Sequence, residues 1–506
     1  MFFGNSATNN TNKREEKGLH RGLHLLGLTV ILVLSAFLNL SWLTREEYAN
    51  VYYAATVKNM LASWHNFFFA SFDAGFVSVD KLPLGFWIQA ASAYVFGFHG
   101  WSLLLPQALA GVLCVVLLYH LVGRSFGPVA GLLAALALAL TPLSVATSRH
   151  NILESLLVLA VLLAAWAFIL AAEIGRLRWL VVGALMIGVG FNIKMLEAFV
   201  ALPAFYLLYL VAAPASLRRR MIHLGLATVM ILAASLPWTV AVDLTPADQR
   251  PYVGSSSYNT VADLIVGWNG VGRLVGSDEG VGDPGPLRLL NRQLAGQIGW
   301  LIPLAVVGLV AASWRSWRSW QGRPRLPLNR KEDKALVLWG TWLVSLVVFF
   351  SVAGDWDPHY LAMLAPPVAA MAGVGVVALW HDYRSPGWRG WVLPLTLAGA
   401  AGLQSHILAL FYQDWSHWLA PPIVILGLGA AASLAVARLK PRLKGSGHPL
   451  AMAAVSVGVL SLLLAPAIWA ASTVWYGAET RALVLRQSPV KRLAGLVARE
   501  ARSIPW

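Results

Sequence analysis

Runs of about twenty predominantly apolar residues, the length that crosses the hydrocarbon of a bilayer, recur along this whole chain. Thirteen begin near Leu23, Leu103, Val129, Leu156, Trp179, Ala198, Leu224, Ile298, Ala335, Tyr360, Trp391, Trp418 and Leu450. They predict an all-α polytopic membrane protein of about thirteen transmembrane helices over residues 1–475, with a short tail over 476–506. The fifth and sixth runs are short and joined by Asn192-Ile193-Lys194, with Glu197 just beyond, so one broken segment is the alternative there. The first run is too long for a cleaved signal and no small-residue cleavage site follows it.

The placement of charge orients these segments. With the N-terminus in the cytoplasm and thirteen crossings, 23 of the 38 Lys and Arg residues fall in cytoplasmic loops, while 17 of the 23 acids fall outside. That asymmetry is the one expected of cytoplasmic loops, and it places the C-terminal tail outside. Merging the fifth and sixth runs would move Arg218-Arg219-Arg220 outside and spoil the pattern. Composition agrees. The chain is 58% hydrophobic and 12% charged, with mean hydropathy +0.64, too little polar surface to cover a water-soluble particle. A cytosolic enzyme, a disordered protein and a disulfide-built module are thereby excluded. The formal charge of +15 reads as a cytoplasmic rim facing anionic lipid, not as a nucleic-acid footprint. The one cysteine, Cys114, permits no internal disulfide.

Two outside loops are long, residues 44–101 and 243–297. Polar chemistry gathers in them, which suits an enzyme at the outer membrane–water boundary. A transporter would keep its chemistry near the midplane, in broken helices. In the first loop, Tyr52, Tyr53, Ala55, Thr56, Val57, Met60 and Trp64 recur at spacings of three and four. Tyr48–His65 is therefore expected to be an amphipathic helix lying on the membrane surface. A second amphipathic stretch follows the Asp80-Lys81-Leu82-Pro83 turn. In the second loop, Gly267-Trp268-Asn269-Gly270-Val271-Gly272-Arg273 reads as a flexible glycine-rich segment. It lacks the Gly-Lys-Ser/Thr ending and preceding strand of a nucleotide phosphate loop. Asp355 and Asp357 suit a divalent cation, as they also suit a solvated turn.

Several of these motifs carry a resemblance. Tyr52-Tyr53-Ala54, Met60-Leu61-Ala62-Ser63 and Asp80-Lys81-Leu82-Pro83-Leu84-Gly85-Phe86-Trp87 resemble the first periplasmic loop of glycosyltransferase family 39. This is the GT-C group that includes protein O-mannosyltransferases and the aminoarabinose transferases of lipid A. Trp101–Ala108, Arg149-His150-Asn151-Ile152-Leu153-Glu154 and Asp357-Pro358-His359-Tyr360 extend the resemblance, within an uncharacterised bacterial branch, over about the first 375 residues. It implies a GT-C fold of thirteen helices with surface helices in the first outside loop. It also implies transfer of a sugar from a polyprenyl-phosphate donor to a cell-envelope acceptor, and it requires no metal. The chain departs from the family pattern where an acidic residue usually precedes the Tyr-Ala motif: Ala49 and Asn50 stand there. Leu82 replaces one of a usual pair of prolines, a modest change in turn stiffness.

Such a transfer needs a base for the acceptor hydroxyl and cations for the departing phosphate. Candidates for the base are Glu154, Asp80 and Glu47. A carboxylate at the mouth of a transmembrane helix is functional by default, although Glu154 would also suit an ion pair with Arg149 or Lys194. For the phosphate, the resemblance points to Lys81; Lys194, Arg273, His359 and Tyr360 are further candidates. Lys194 pairs equally well with Glu197, and Asp80 with Lys81. Asn50, Tyr52, Tyr53 and Asn151 are expected to line the substrate site. Two rivals remain: a transporter or lipid flippase built around Gln404, Ser405 and His406, and a non-catalytic scaffold.

Overall fold

The structure, a computed structural model, describes residues 5–272, 281–320, 326–354, 356–439 and 449–477. Arg273, Asp355 and nearly all of the C-terminal tail lie outside them. Helix α1 (Asn5–Leu40) leads into a cluster of short elements: α2 (Val51–Met60), α3 (Trp64–Phe69), a hairpin of β1 (Ser71–Asp73) and β2 (Val77–Ser78), and α4 (Leu84–Phe96). The bundle continues through α5 (Gly100–Phe126), α6 (Pro128–Ala139), α7 (Pro142–Ser148), α8 (Glu154–Ile174), α9 (Leu177–Lys194), α10 (Leu202–Ala212), α11 (Leu217–Ser235) and α12 (Pro237–Leu244). Six long helices close the chain, beginning at Ile302, Lys331, Ala365, Val392, Gln413 and Pro449.

Among the described residues, ten segments are long and apolar enough to cross a membrane, or twelve with two bent pairs included. Those pairs are α6–α7, bent by 60°, and α11–α12, bent by 46°. Pro142 and Pro237 begin the second half of each pair, and a proline has no N–H with which to continue the helical ladder. The weak fifth and sixth runs form one 36-residue stretch, Leu177–Ala212, in that count. Its path is a reversal. Lys194, ending α9, reaches Glu154 at the start of α8. Beyond α10, Pro214 lies against Gly175 in the α8–α9 turn. The chain turns back through the 3₁₀ segment Met195–Ala201, entered at Met195 with φ +53°.

The helix Ala365–Arg384 runs through the centre of the bundle and is buried along most of its length. Small residues admit its neighbours. A Cβ placed on Gly308 would sit 2.5 Å from the Gly375 Cα, and one on Gly373 2.7 Å from the Ala130 carbonyl oxygen. Close backbone approach of this kind is how helices associate where lipid removes the hydrophobic driving force.

The first long loop differs from its expected form. Tyr48–His65 is not one surface helix. The Asn50 side chain accepts the Tyr53 N–H at 3.2 Å and starts α2, and the Ser63 hydroxyl accepts the Asn66 N–H at 3.1 Å and starts α3. A second cap ends one helix and begins another. Nor does α2 lie free on a surface: Ala54, Val57 and Met60 are buried within the main core. The second stretch does form a helix, α4, with Phe86 and Ala90 buried. The two long loops are also stitched together. Ser78 donates its N–H to the Tyr252 carbonyl and Tyr252 donates to Phe76, while the indole of Trp238, in α12 just before the second loop, donates to the Phe68 carbonyl at 2.9 Å.

Candidate functional site

At the end of the bundle where both long loops lie, the termini of several helices bring ionisable side chains together. Glu154 opens α8 and is fully buried. One of its oxygens, Oε1, receives the Lys194 ammonium and stands 3.0 Å from His359 Nε2; the other, Oε2, has no hydrogen-bond partner. Lys194 is shared. It lies 3.0 Å from Glu197 and 3.9 Å above the centre of the Tyr360 ring, a contact that offsets part of the desolvation of the ammonium. After the reversal at Met195, Glu197, three residues on, lies beside the same ammonium that Glu154 engages.

A second ion pair adjoins the first. Lys81 Nζ donates to Asp80 Oδ2 at 2.8 Å and to Asn269 Oδ1 at 3.3 Å, while Asp80 Oδ1 is buried without a partner. Asn269 lies in the glycine-rich segment, which is not the flexible loop its glycines suggest. Leu264–Val271 is a π-helix, a wide turn that is frequent at functional sites. Its Asn269 amide also donates to the Leu264 carbonyl at 3.0 Å. The Tyr53 phenol lies within the electrostatic reach of both clusters and feels the charges of Asp80 and Glu154. Burial first, and then the Asp80 charge, push the Tyr52 and Tyr53 phenols up from their ordinary range. Both therefore stay protonated, and the Tyr52 hydroxyl accepts the Asp80 N–H at 3.3 Å.

The supporting shell is built around Asn151. Its side chain accepts the Asn50 N–H at 2.8 Å and donates to the Asn50 carbonyl at 2.9 Å, while Gln89 donates to the Asn151 carbonyl. Arg149 does not pair with Glu154. It is engaged by Glu46 at 2.8–2.9 Å and donates to the Leu38 and Ser41 carbonyls, pinning the end of α1.

Of the candidates from sequence, Glu154, Lys194, His359, Tyr360, Tyr53, Asp80 and Lys81 converge, with Tyr52, Asn50 and Asn151 directly behind them. Glu47 does not join them: its side chain is exposed, and its carbonyl abuts Gly100. Arg273 lies outside the described residues, as does Asp355 of the possible cation pair. Among the described residues no group of three His, Cys, Asp or Glu side chains is placed to hold a metal. Sequence reasoning missed Asn269 and gave Glu197 only a structural role. A polar residue amid glycines was the sole signal for the first, and Lys194 three residues away for the second. The mid-helix polar group forms no converging site: Gln404 donates to the Trp300 and Leu462 carbonyls, and His406 is exposed.

Comparisons with known proteins identify the family and the fold. The family described as dolichyl-phosphate-mannose-protein mannosyltransferase matches residues 80–238. The "Putative mannosyltransferase YkcB" of Bacillus subtilis (strain 168) is 35% identical over 553 aligned positions, covering 90% of this chain and 75% of the relative. Among solved structures, ArnT from Cupriavidus metallidurans bound to undecaprenyl phosphate superposes with TM-score 0.56 at 19% identity, over 90% of this chain and 78% of that one. AglB from Archaeoglobus fulgidus, in complex with an inhibitory peptide and a dolichol-phosphate, superposes with TM-score 0.51 at 13% identity, over 82% of this chain and 60% of that one. At such identities the two structures speak to the fold.

Proposed function

The chain belongs to the GT-C membrane glycosyltransferases of the protein-mannosyltransferase and ArnT type, and from that premise we propose that it moves a sugar from a polyprenyl-phosphate donor to an acceptor hydroxyl at the outer face of the membrane. The observation that carries the reading is the convergence of Lys81, Lys194, His359 and Tyr360 with the carboxylates Asp80 and Glu154, drawn from segments nearly 280 residues apart. Two buried ammonium groups in one water-poor site suit a phosphate that gains negative charge as the sugar departs. The loops that build the site are those the charge pattern assigns to the outside.

In the proposed reaction the acceptor oxygen attacks the anomeric carbon, the bond from that carbon to the phosphate oxygen breaks, and the electron pair leaves on polyprenyl phosphate. Lys81 and Lys194 stabilise the leaving phosphate, and the acceptor proton passes to a carboxylate. Asp80 suits that role: one oxygen is held by Lys81 and the other, Oδ1, is unengaged. Glu154 fixes Lys194 and His359 around the donor. Glu47, exposed and apart, has no such part. The family's usual acid position is given over to structure here, since the Asn50 side chain caps α2.

The test is incubation of the purified full chain with radiolabelled polyprenyl-phosphate mannose and, separately, a polyprenyl-phosphate pentose, alongside a membrane-envelope acceptor fraction. Transfer of label from one donor establishes the reaction and the sugar class. Consumption of neither donor, with bound polyprenyl lipid moved between leaflets of vesicles instead, would favour the flippase reading.

A further inference from the structure

We propose that Glu197 is a carboxylate stand-in for the donor phosphate, competing with it for Lys194 and helping to expel polyprenyl phosphate after transfer; this rests on the reading above. Glu197 lies on the 3₁₀ turn Met195–Ala201, its side chain 9% exposed. Its one short polar contact is to Lys194, 3.0 Å from Oε2, and Oε1 has no hydrogen-bond partner among the described residues. A buried carboxylate normally collects several donors. This one has a single ammonium partner, Lys194, and lies in the field of Lys81. Leu196 beside it packs under Gly270 of the π-helix that carries Asn269, so the turn and the Lys81 contact share one wall.

The charges explain why a stand-in is needed. Lys81 and Lys194 are the two cations assigned to the phosphate, and both are buried. Left without anions in the empty enzyme they would be strongly disfavoured. Asp80 and Glu154 each hold one lysine through short contacts. Glu197 adds a third carboxylate for two lysines, facing Lys194, Glu154 and Lys81 from neighbouring elements. A phosphate that enters must displace one of the three, and Glu197, whose single partner at 3.0 Å is an ammonium that Glu154 already holds, is the easiest to move. The same competition acts in reverse on the product, because polyprenyl phosphate is the leaving group of the reaction.

Glu197→Gln removes a competitor, so the full-length protein in detergent should bind undecaprenyl phosphate about tenfold more tightly than the wild type, the scale of one charge-assisted contact. Binding of the uncharged alcohol undecaprenol should not change. In turnover, kcat and KM should fall together, as expected when product is held too well. Lys194 keeps Glu154 in this variant, so the fold is retained; should Glu197→Gln still fail to fold, Glu197→Met, of similar size without polar atoms, carries the same expectation. Weaker or unchanged undecaprenyl phosphate binding in the substituted protein overturns the stand-in role and marks Glu197 as structural. Equal tightening for undecaprenol overturns it too. Absence of undecaprenyl phosphate binding in wild type and variant alike would instead remove the donor reading on which the role rests.

Discussion

Lys81 is held by two different kinds of partner, a carboxylate in its own turn and an amide nearly two hundred residues away, and its proposed part in donor binding can be tested by substitution. Lys81→Ala should remove a contact to the phosphate worth about 1.5–3 kcal/mol, roughly ten- to a hundredfold in donor use. Lys81→Arg should rescue it only in part, because a planar fork fits a point-charge site poorly. Steady-state rates at limiting donor decide this, and unchanged turnover in Lys81→Ala would remove Lys81 from the phosphate site. The acids can be ranked in the same assay. Asp80→Asn and Glu154→Gln should each lose at least about a hundredfold, the scale of a missing acid–base group or a misplaced cation, while the exposed Glu47→Gln should stay within a few-fold of wild type. A large loss in Glu47→Gln alone would reverse the assignment. Residue types and motifs brought Asp80, Lys81 and Glu154 forward. They could not reveal that Glu154 and Glu197 share Lys194 or that Asn269 reaches Lys81, because both facts arise only when distant segments meet.

At the scale of elements, hydropathy located the membrane helices well, since a twenty-residue apolar run has few other solutions. It said less about what happens inside a run. The bends at Pro142 and Pro237 and the reversal after Lys194 depend on single residues that an average over a window dilutes. The short elements of the first loop were less legible still. Periodicity marked apolar faces correctly, but the Asn50 and Ser63 caps divided one expected helix into two, and the β1–β2 hairpin borrows a partner, Tyr252, from the second loop. Asn50→Ala should therefore lower stability by about 1 kcal/mol through loss of the α2 cap, whereas Asn50→Asp should preserve it; thermal unfolding in detergent measures both. In the central layer, Gly308→Ala places a Cβ 2.5 Å from the Gly375 Cα. Backbone cannot retreat as a side chain can, so this substitution should destabilise by roughly 1–3 kcal/mol, visible as a lowered melting temperature.

For the whole molecule, the charge pattern yields a topology that accessible cysteines can check. The native Cys114 is buried and gives little background. Phe76, at the tip of the hairpin, is 75% exposed, and Ser216, at the opposite end of the bundle, is also exposed. In intact cells Phe76→Cys should react with an impermeant maleimide and Ser216→Cys should react only after permeabilisation. Labelling of both from the same side would overturn the orientation. The α8–α9 turn-back has one more consequence, for how the chain enters the bilayer. Glu154 and Lys194 are 40 residues apart on successive helices, so ribosome and translocon deliver them as a single hairpin, well before His359 has been synthesised. An acid and a base that meet inside one inserting hairpin reach the membrane as a neutral couple, and neither has to be carried there as a lone charge. Replacing only one of them should thus lower the yield of inserted protein, and exchanging the two should restore it.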